Sequence, residues 1–482
     1  MNYSVVIYIL GWIMEIEAAF LALPGIVSAI YGEKGGFAFL WVALGSAVAG
    51  SAIILRKPKN MRFYLREGFV TVALSWILMS VIGCLPFVIN GDIPHFADAL
   101  FEMISGFTTT GATVVSDVEG LTKGSLFWRS FSHWIGGMGV LVFLLAIVPM
   151  AGGSHMNLMK AESPGPSVGK LVPKVRQTAK YLYIIYFALT MIEVIFLLFG
   201  GMNLFEALTT SFGTAGTGGF GVKNDSMASY SPYIQNVCTV FMLLFGVNFG
   251  FYFLILTGKL RDALKFEEVR IYFIIVIAAA VFIFINLRHF ALYAPAEGIR
   301  QAFFQVASII TTTGFASADF NLWPETSRTI LVLLMFIGAC AGSTGGGIKV
   351  SRFIIACKSF IKEIISYLHP RSVKKIKIEG KPLEHETLRA TNVYFMTYMV
   401  IFAVSVLLVS IENKDLVTNF AAVAATFNNI GPGLSLVGPM ANFGHFTDFT
   451  KYILMFDMLA GRLEIFPMML LFCPAVWKRR RA

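Results

Sequence analysis

The pattern of apolar and polar positions divides the chain into ten stretches dominated by apolar residues, each about 20 long. At 1.5 Å per residue each is long enough to cross the roughly 30 Å hydrocarbon core of a bilayer. They run over 6–30, 37–55, 69–89, 126–150, 182–199, 233–257, 271–290, 329–357, 391–411 and 452–476. The spacing predicts an all-α polytopic membrane protein.

Four further apolar stretches are too short to cross. They follow spans three, five, seven and nine, beginning near Phe96, Leu204, Ile299 and Val417. Each runs about a dozen residues and breaks into a polar, glycine-containing string: SGFTTTGAT (105–113), GTAGTGGFG (213–221), SIITTTGFAS (308–317) and TFNNIGPG (426–433). Gly111, Gly218, Gly314 and Gly431 recur at intervals of 107, 96 and 117 residues. Self-similarity at such a period marks a repeated unit, here span, half-helix, loop, span. The expected organisation is two extra N-terminal helices (1–66), then pore repeats at 67–175, 176–265, 266–385 and 386–482, the last including the basic C-terminus. The first and third copies are most alike, sharing Phe101/Phe304, Ser105/Ser308 and the TTTG string.

Composition excludes an ordinary soluble protein, because 56% of the 482 residues are hydrophobic and only 14% charged, where a water-facing surface needs roughly a quarter. The net charge of +10 could suggest nucleic acid, but its placement answers otherwise. If both termini are cytoplasmic, segments 56–66, 151–180, 258–270, 349–390 and 478–481 hold 28 of the 38 Lys and Arg residues. That is the positive-inside bias, and it explains the charge without nucleic acid. The apolar N-terminus carries Glu15 and Glu17 and no basic leader, so it reads as a spanning helix and not a cleaved signal. Cys84, Cys238, Cys340, Cys357 and Cys473 sit in or beside apolar stretches without paired spacing and read as small core hydrophobes.

Non-helical backbone at membrane depth is tolerated only where protein buries it or where it lines water. A single TTTG could be a polar turn between two membrane segments; four copies in register suggest loops converging on a pseudo-fourfold axis. There their carbonyls can replace the hydration shell of a passing cation. Glycine permits the close approach and unusual backbone angles this needs. The half-helices would point their negative dipole ends at the axis, favouring cations.

On these residues, from the two extra spans through all four loops to the basic C-terminus, the chain resembles the Trk/Ktr/HKT superfamily of potassium transporters, and within it the bacterial Trk potassium-uptake membrane subunits. The resemblance implies a single-file potassium pathway in each subunit of a homodimer in the bacterial inner membrane. It implies a filter formed by Thr110, Gly111, Thr217, Gly218, Thr313, Gly314, Ile430 and Gly431, with potassium the bound ion and no organic cofactor in this chain. Sodium-preferring plant relatives often carry serine at the first filter position; Gly111 therefore favours potassium. The fourth loop departs from the pattern with NNIG and Pro432, leaving open whether Asn428 and Asn429 face the ion or tie the loop to its neighbours.

Two features suggest a gate. The segment GACAGSTGGGIK (338–349) places five glycines mid-membrane, including Gly345, Gly346 and Gly347. Each weakens a helix by about 0.8–1 kcal/mol relative to alanine. The segment is expected to unwind below the filter; close helix packing through small residues is the alternative. It resembles the family's intramembrane loop that obstructs the pore. Arg462 lies inside the last span and needs a partner or water. A local ion pair with Asp457 or Glu464 is one reading; the family places this arginine beneath the filter.

GTGGFG (216–221) matches a dinucleotide pattern without the strand and βαβ unit that would support it, and GSTGGGIK (342–349) lacks the Ser or Thr that ends a phosphate loop. The seven histidines are scattered and no catalytic constellation stands out, which disfavours a membrane enzyme. Symport coupled to protons or sodium stays open beside channel-like permeation, although Glu15, Glu17, Glu193, Asp457 and Glu464 form no evident relay. The basic connection from Lys358 to Arg389 suits anionic lipids. By resemblance it also docks a cytosolic nucleotide-binding regulatory subunit responsive to NAD or ATP.

Overall fold

The computed structural model describes residues 1–59, 64–147, 175–370 and 375–478. Helices dominate it, and the one strand pairing among the described residues is a short hairpin, Lys377–Ile378 with Lys381–Pro382. Six helices are long and apolar enough to cross a membrane singly: Tyr3–Ile30, Gly36–Ile54, Leu65–Asn90, the stretch Lys180–Phe199, Glu267–His289 and the stretch His385–Glu412. The helix Lys123–Ile147 adds 25 residues.

The short apolar stretches form half-helices at Phe96–Phe107, Leu204–Gly216, Pro295–Ile310 and Leu416–Phe427. Their starts are chemically marked. Asn203 and Asp415 accept from the free N–H groups of Glu206 and Thr418, and Pro295 occupies the first helical position of the third. Asp98, Glu206 and Glu297 lie in first turns, complementing the positive helix end.

Each half-helix packs against the span preceding it. The second also packs on Lys123–Ile147, the third on Pro232–Phe245 and the first on Asp448–Arg462. The last contact joins the first repeated unit to the fourth and closes the arrangement into a ring. The pair Tyr3–Ile30 and Gly36–Ile54 lies outside, against Leu65–Asn90 and Lys123–Ile147. Its helices approach through Gly11 and Gly50, where a Cβ on Gly50 would lie 2.9 Å from the Gly11 carbonyl oxygen.

Three of the ten expected spans are broken. The stretch 233–257 is two helices, Pro232–Phe245 and Phe249–Leu256, meeting at 88°. The stretch 329–357 divides into Glu325–Met335 and Val350–Leu368 around non-helical residues 336–349, so the glycine segment is unwound as its composition predicts. The stretch 452–476 breaks after Arg462, where Glu464 and Ile465 both take positive φ (60° and 67°). The far end of the expected span at 126–150 lies outside the described residues.

Close packing around the half-helices is tight enough to test. A Cβ on Gly136 would overlap the backbone carbonyl of Phe107, which cannot yield like a side chain. Gly136→Ala is expected to destabilise the fold by about 1–3 kcal/mol, the usual cost of overpacking. A lower unfolding midpoint of the detergent-purified protein would show it; an unchanged midpoint would mean the helix shifts freely.

Candidate functional site

The four half-helices end in one backbone figure. Thr110, Gly218, Thr313 and Ile430 each donate their N–H to a carbonyl five residues back, that of Ser105, Gly213, Ser308 and Ala425, at 2.8–2.9 Å. On one side stand Thr109, Thr217, Thr312 and Asn429, with φ between 54° and 59°; on the other stand Gly111, Gly219, Gly314 and Gly431, with φ from 77° to 93°.

That register differs by one residue from the sequence alignment in the second loop. The sequence pattern pairs Gly218 with Gly111, but Gly218 occupies the place of Thr110, and Thr217 that of Thr109; Gly219 takes the left-handed position. Two adjacent glycines in GTGGFG hide this choice, which the Gly218–Gly213 hydrogen bond makes.

The loops meet as a closed ring. A Cβ on Gly111 would overlap the carbonyl oxygen of Gly218; on Gly219, that of Thr313; on Gly314, that of Ile430; on Gly431, that of Thr110. Each left-handed glycine therefore lies against the carbonyl of the next loop, and the fourth returns to the first. Glycine is required twice over here, by φ and by this approach.

Side chains pin each loop. Thr108 and Thr311 bond back to their half-helices and touch Thr110 and Thr313 through hydroxyls 2.7–2.8 Å apart. In the fourth loop asparagines replace them. Asn428 donates to Ala424 O (2.9 Å) and accepts from the Tyr398 hydroxyl (3.0 Å), while Asn429 donates to Thr110 Oγ1 and to Met458 O, both at 2.9 Å. Both asparagines are fully buried and tie the loop to its surroundings. Further out, Met227 N–H donates to Ala316 O, Ser435 N–H to Asn321 Oδ1 and Phe443 N–H to Thr113 O, linking successive units around the ring.

Sequence reasoning passed over His133, Arg129 and Glu102. His133 accepts at Nε2 from Phe220 N–H (3.2 Å), so Nδ1 carries the proton and donates to Gly106 O at 2.8 Å. Its ring fills the space that a side chain on Gly218 would need. For Arg129 and His133 the available signal is charge and imidazole inside the span 126–150; Glu102 lies on the half-helix Phe96–Phe107.

Beneath the ring lies the unwound segment. Gly346 N–H donates to Thr312 Oγ1 at 2.6 Å. A Cβ on Gly345 would lie 2.9 Å from Thr311 O, and one on Gly346 2.9 Å from Asn428 O. Gly347 has φ 73° and packs on Gly338. Backbone groups released by the break at 246–248 are met here: Cys340 N–H donates to Gly246 O and Phe249 N–H donates to Gly342 O, both at 3.0 Å. Buried Glu268, which the sequence did not single out, accepts from Ala341 N–H (2.7 Å) and Ser351 N–H (3.0 Å), holding both flanks. Lys349 donates to Gly345 O within the segment.

Arg462 donates to Thr344 O at 2.8 Å and to Gly136 O at 2.7 Å, bridging the unwound segment to the helix Lys123–Ile147. The carboxylates proposed as its local partners are engaged elsewhere. Glu464 pairs with Arg352, and Asp457 accepts from Ser405 Oγ at 2.7 Å.

Four half-helices converging on a ring of backbone carbonyls, set within apolar spans, define a polytopic membrane protein. The chain belongs to the TrkH family, described as a cation transport protein, whose profile matches residues 37–479. It is 36% identical over 490 residues to the Trk system potassium uptake protein TrkH of Escherichia coli K12, covering 99% of this chain and all of that one. It is 32% identical to TrkG of the same organism, again over 99% of each chain. The crystal structure of the potassium transporter TrkH from Vibrio parahaemolyticus matches with a TM-score of 0.89 at 34% identity, covering 99% of this chain and 100% of that one. These relatives are transport proteins and not enzymes.

Proposed function

We propose that this chain takes up potassium across the bacterial cytoplasmic membrane through the ring of four loops, with both termini cytoplasmic. The observation that carries the reading is the closed sequence of contacts in which each of Gly111, Gly219, Gly314 and Gly431 lies against the carbonyl of the next loop. Carbonyls of Thr110, Gly218, Thr313 and Ile430 held in this way can stand in for the hydration shell of a monovalent cation. Thr217 shapes the second loop from behind. The names of the Trk relatives support potassium as the ion.

Gly345, Gly346 and Gly347 lie against the underside of the third and fourth loops and, with Arg462, form the gate. The cytoplasmic helix Val350–Leu368 begins where this segment ends, and Lys358 fastens it to Glu267 (2.6 Å) and to the hairpin at Lys377 O (2.7 Å). A cytosolic nucleotide-binding subunit, responsive to NAD or ATP, would act on the gate through this face. The assembly would be a homodimer in lipid, with one pore per subunit. Obligatory symport with protons or sodium is the alternative; buried Glu17, Glu193 and Asp457 lie on three separate helices, which does not favour a relay.

The test is flux of potassium and of sodium in liposomes holding the purified protein, each ion driven by its own gradient with no proton gradient. Potassium is expected to pass preferentially, and a hundredfold preference corresponds to about 2.7 kcal/mol. Flux that appears only when a proton or sodium gradient is added would replace this reading with coupled symport.

A further inference from the structure

We propose that Glu102 and Arg129 are positioning residues that set the spacing between the first two loops and thereby the discrimination between potassium and sodium, an inference that rests on reading the loops as a cation filter. Glu102 projects from the first half-helix and Arg129 from the helix that follows it, and both side chains are buried, 0% and 2% exposed. Glu102 Oε1 accepts from Arg129 Nε and lies 2.7 Å from Arg129 Nη2. The same carboxylate accepts from Thr113 Oγ1 at 2.9 Å and from Val114 N–H at 3.0 Å, gripping the outgoing arm of loop one. The far side of the guanidinium reaches loop two. Its carbon stands 4.2 Å from the centroid of the Phe220 ring, and Nη1 lies 3.5 Å from Gly221 O.

The pair thus brackets the place where Gly111 meets the Gly218 carbonyl. Counting back three residues from Ser105, Gly213, Ser308 and Ala425, the equivalent positions are Glu102, Thr210, Gln305 and Ala422. Gln305 braces its own loop at Ser317 and Ala318, whereas the charged pair at the first site spans two loops. A filter that separates ions by cavity size or by carbonyl number must resist relaxation of its loops toward the smaller ion. A buried arginine with a planar fork and a stacked face is suited to that, because it fixes two directions at once.

The experiment compares full-length protein in liposomes by the ratio of potassium to sodium flux, with the unfolding midpoint recorded alongside. The double variant Glu102→Gln, Arg129→Gln leaves no buried charge unpaired, so it is expected to fold. Its flux ratio is expected to fall tenfold or more while potassium flux persists. Arg129→Lys keeps a charge for Glu102 but gives up the stacked contact with Phe220 and the reach to Gly221, and should give an intermediate ratio whether or not the double variant is recovered. A wild-type ratio in the double variant, or in Arg129→Lys, overturns the proposal even if the midpoint drops, since that is the outcome of a merely structural pair. Gly314→Ser measured in parallel separates the two levels. If it lowers the ratio and the pair variants do not, only the bracket is wrong; if it too leaves the ratio unchanged, the filter reading falls and this inference with it.

Discussion

Gly314→Ser is expected to lower the potassium-to-sodium flux ratio of the reconstituted protein by at least tenfold, equivalent to about 1.4 kcal/mol of lost discrimination. The backbone at Gly314 has φ 85°, where any side chain is strained by about 1–2 kcal/mol. The new Cβ would also enter the space of the Ile430 carbonyl oxygen, which must then rotate or retreat. That carbonyl belongs to the neighbouring loop, so one substitution disturbs two members of the ring. Gly219→Ser should act in the same way, through φ 77° and the Thr313 carbonyl. Serine at either site with an unaltered ratio would show that these loops do not select the ion.

Arg462→Ala is expected to have the opposite sign of effect on conduction, raising potassium flux about tenfold in the absence of any soluble partner. The guanidinium makes two charge-assisted hydrogen bonds, to Thr344 O and Gly136 O, each worth about 1.5–3 kcal/mol. Loss of both frees the unwound segment from the helix that anchors it and removes a fixed positive charge below the ring. Arg462→Lys should fall between the two, because an ammonium lacks the planar fork that reaches both carbonyls. Flux at the wild-type level in Arg462→Ala would remove this arginine from the gate.

The breaks in three spans place polar backbone together at membrane depth. Helix interruption at 246–248, 336–349 and 463–465 exposes carbonyls and N–H groups that lipid cannot satisfy. The first two satisfy each other through Cys340, Gly246, Phe249 and Gly342, and Glu268 takes two more N–H groups. Such a cluster satisfies its own polar backbone and can therefore stay at membrane depth.

Much of this was legible along the chain because a bilayer leaves few choices. Apolar stretches of about 20 residues must be helices there, and four stretches of about a dozen followed by polar glycine strings must turn back. The run of glycines at 338–349 likewise announced its own unwinding through helix propensity. Other features were not settled locally. Gly246 and the capping Asn248 mark a helix break locally, but the 88° angle of the bend depends on partners nearly a hundred residues away. Arg129 stands out in its span as a charge, but its carboxylate partner lies on a different helix and is named by no local pattern.

Chain composition and periodicity thus sufficed for the membrane setting, the repeated unit and the glycines at Gly111, Gly314 and Gly431, since each follows from local backbone needs and the energetics of lipid. The register of the second loop, the anchoring roles of Asn428 and Asn429, and the partners of Arg462 were settled by contacts between distant segments. Gly218 and Gly219 are equivalent in local propensity; what distinguishes them is that His133 fills the space beside one and the Thr313 carbonyl lies against the other. Long-range packing assigns those neighbours, and no string of adjacent residues contains them.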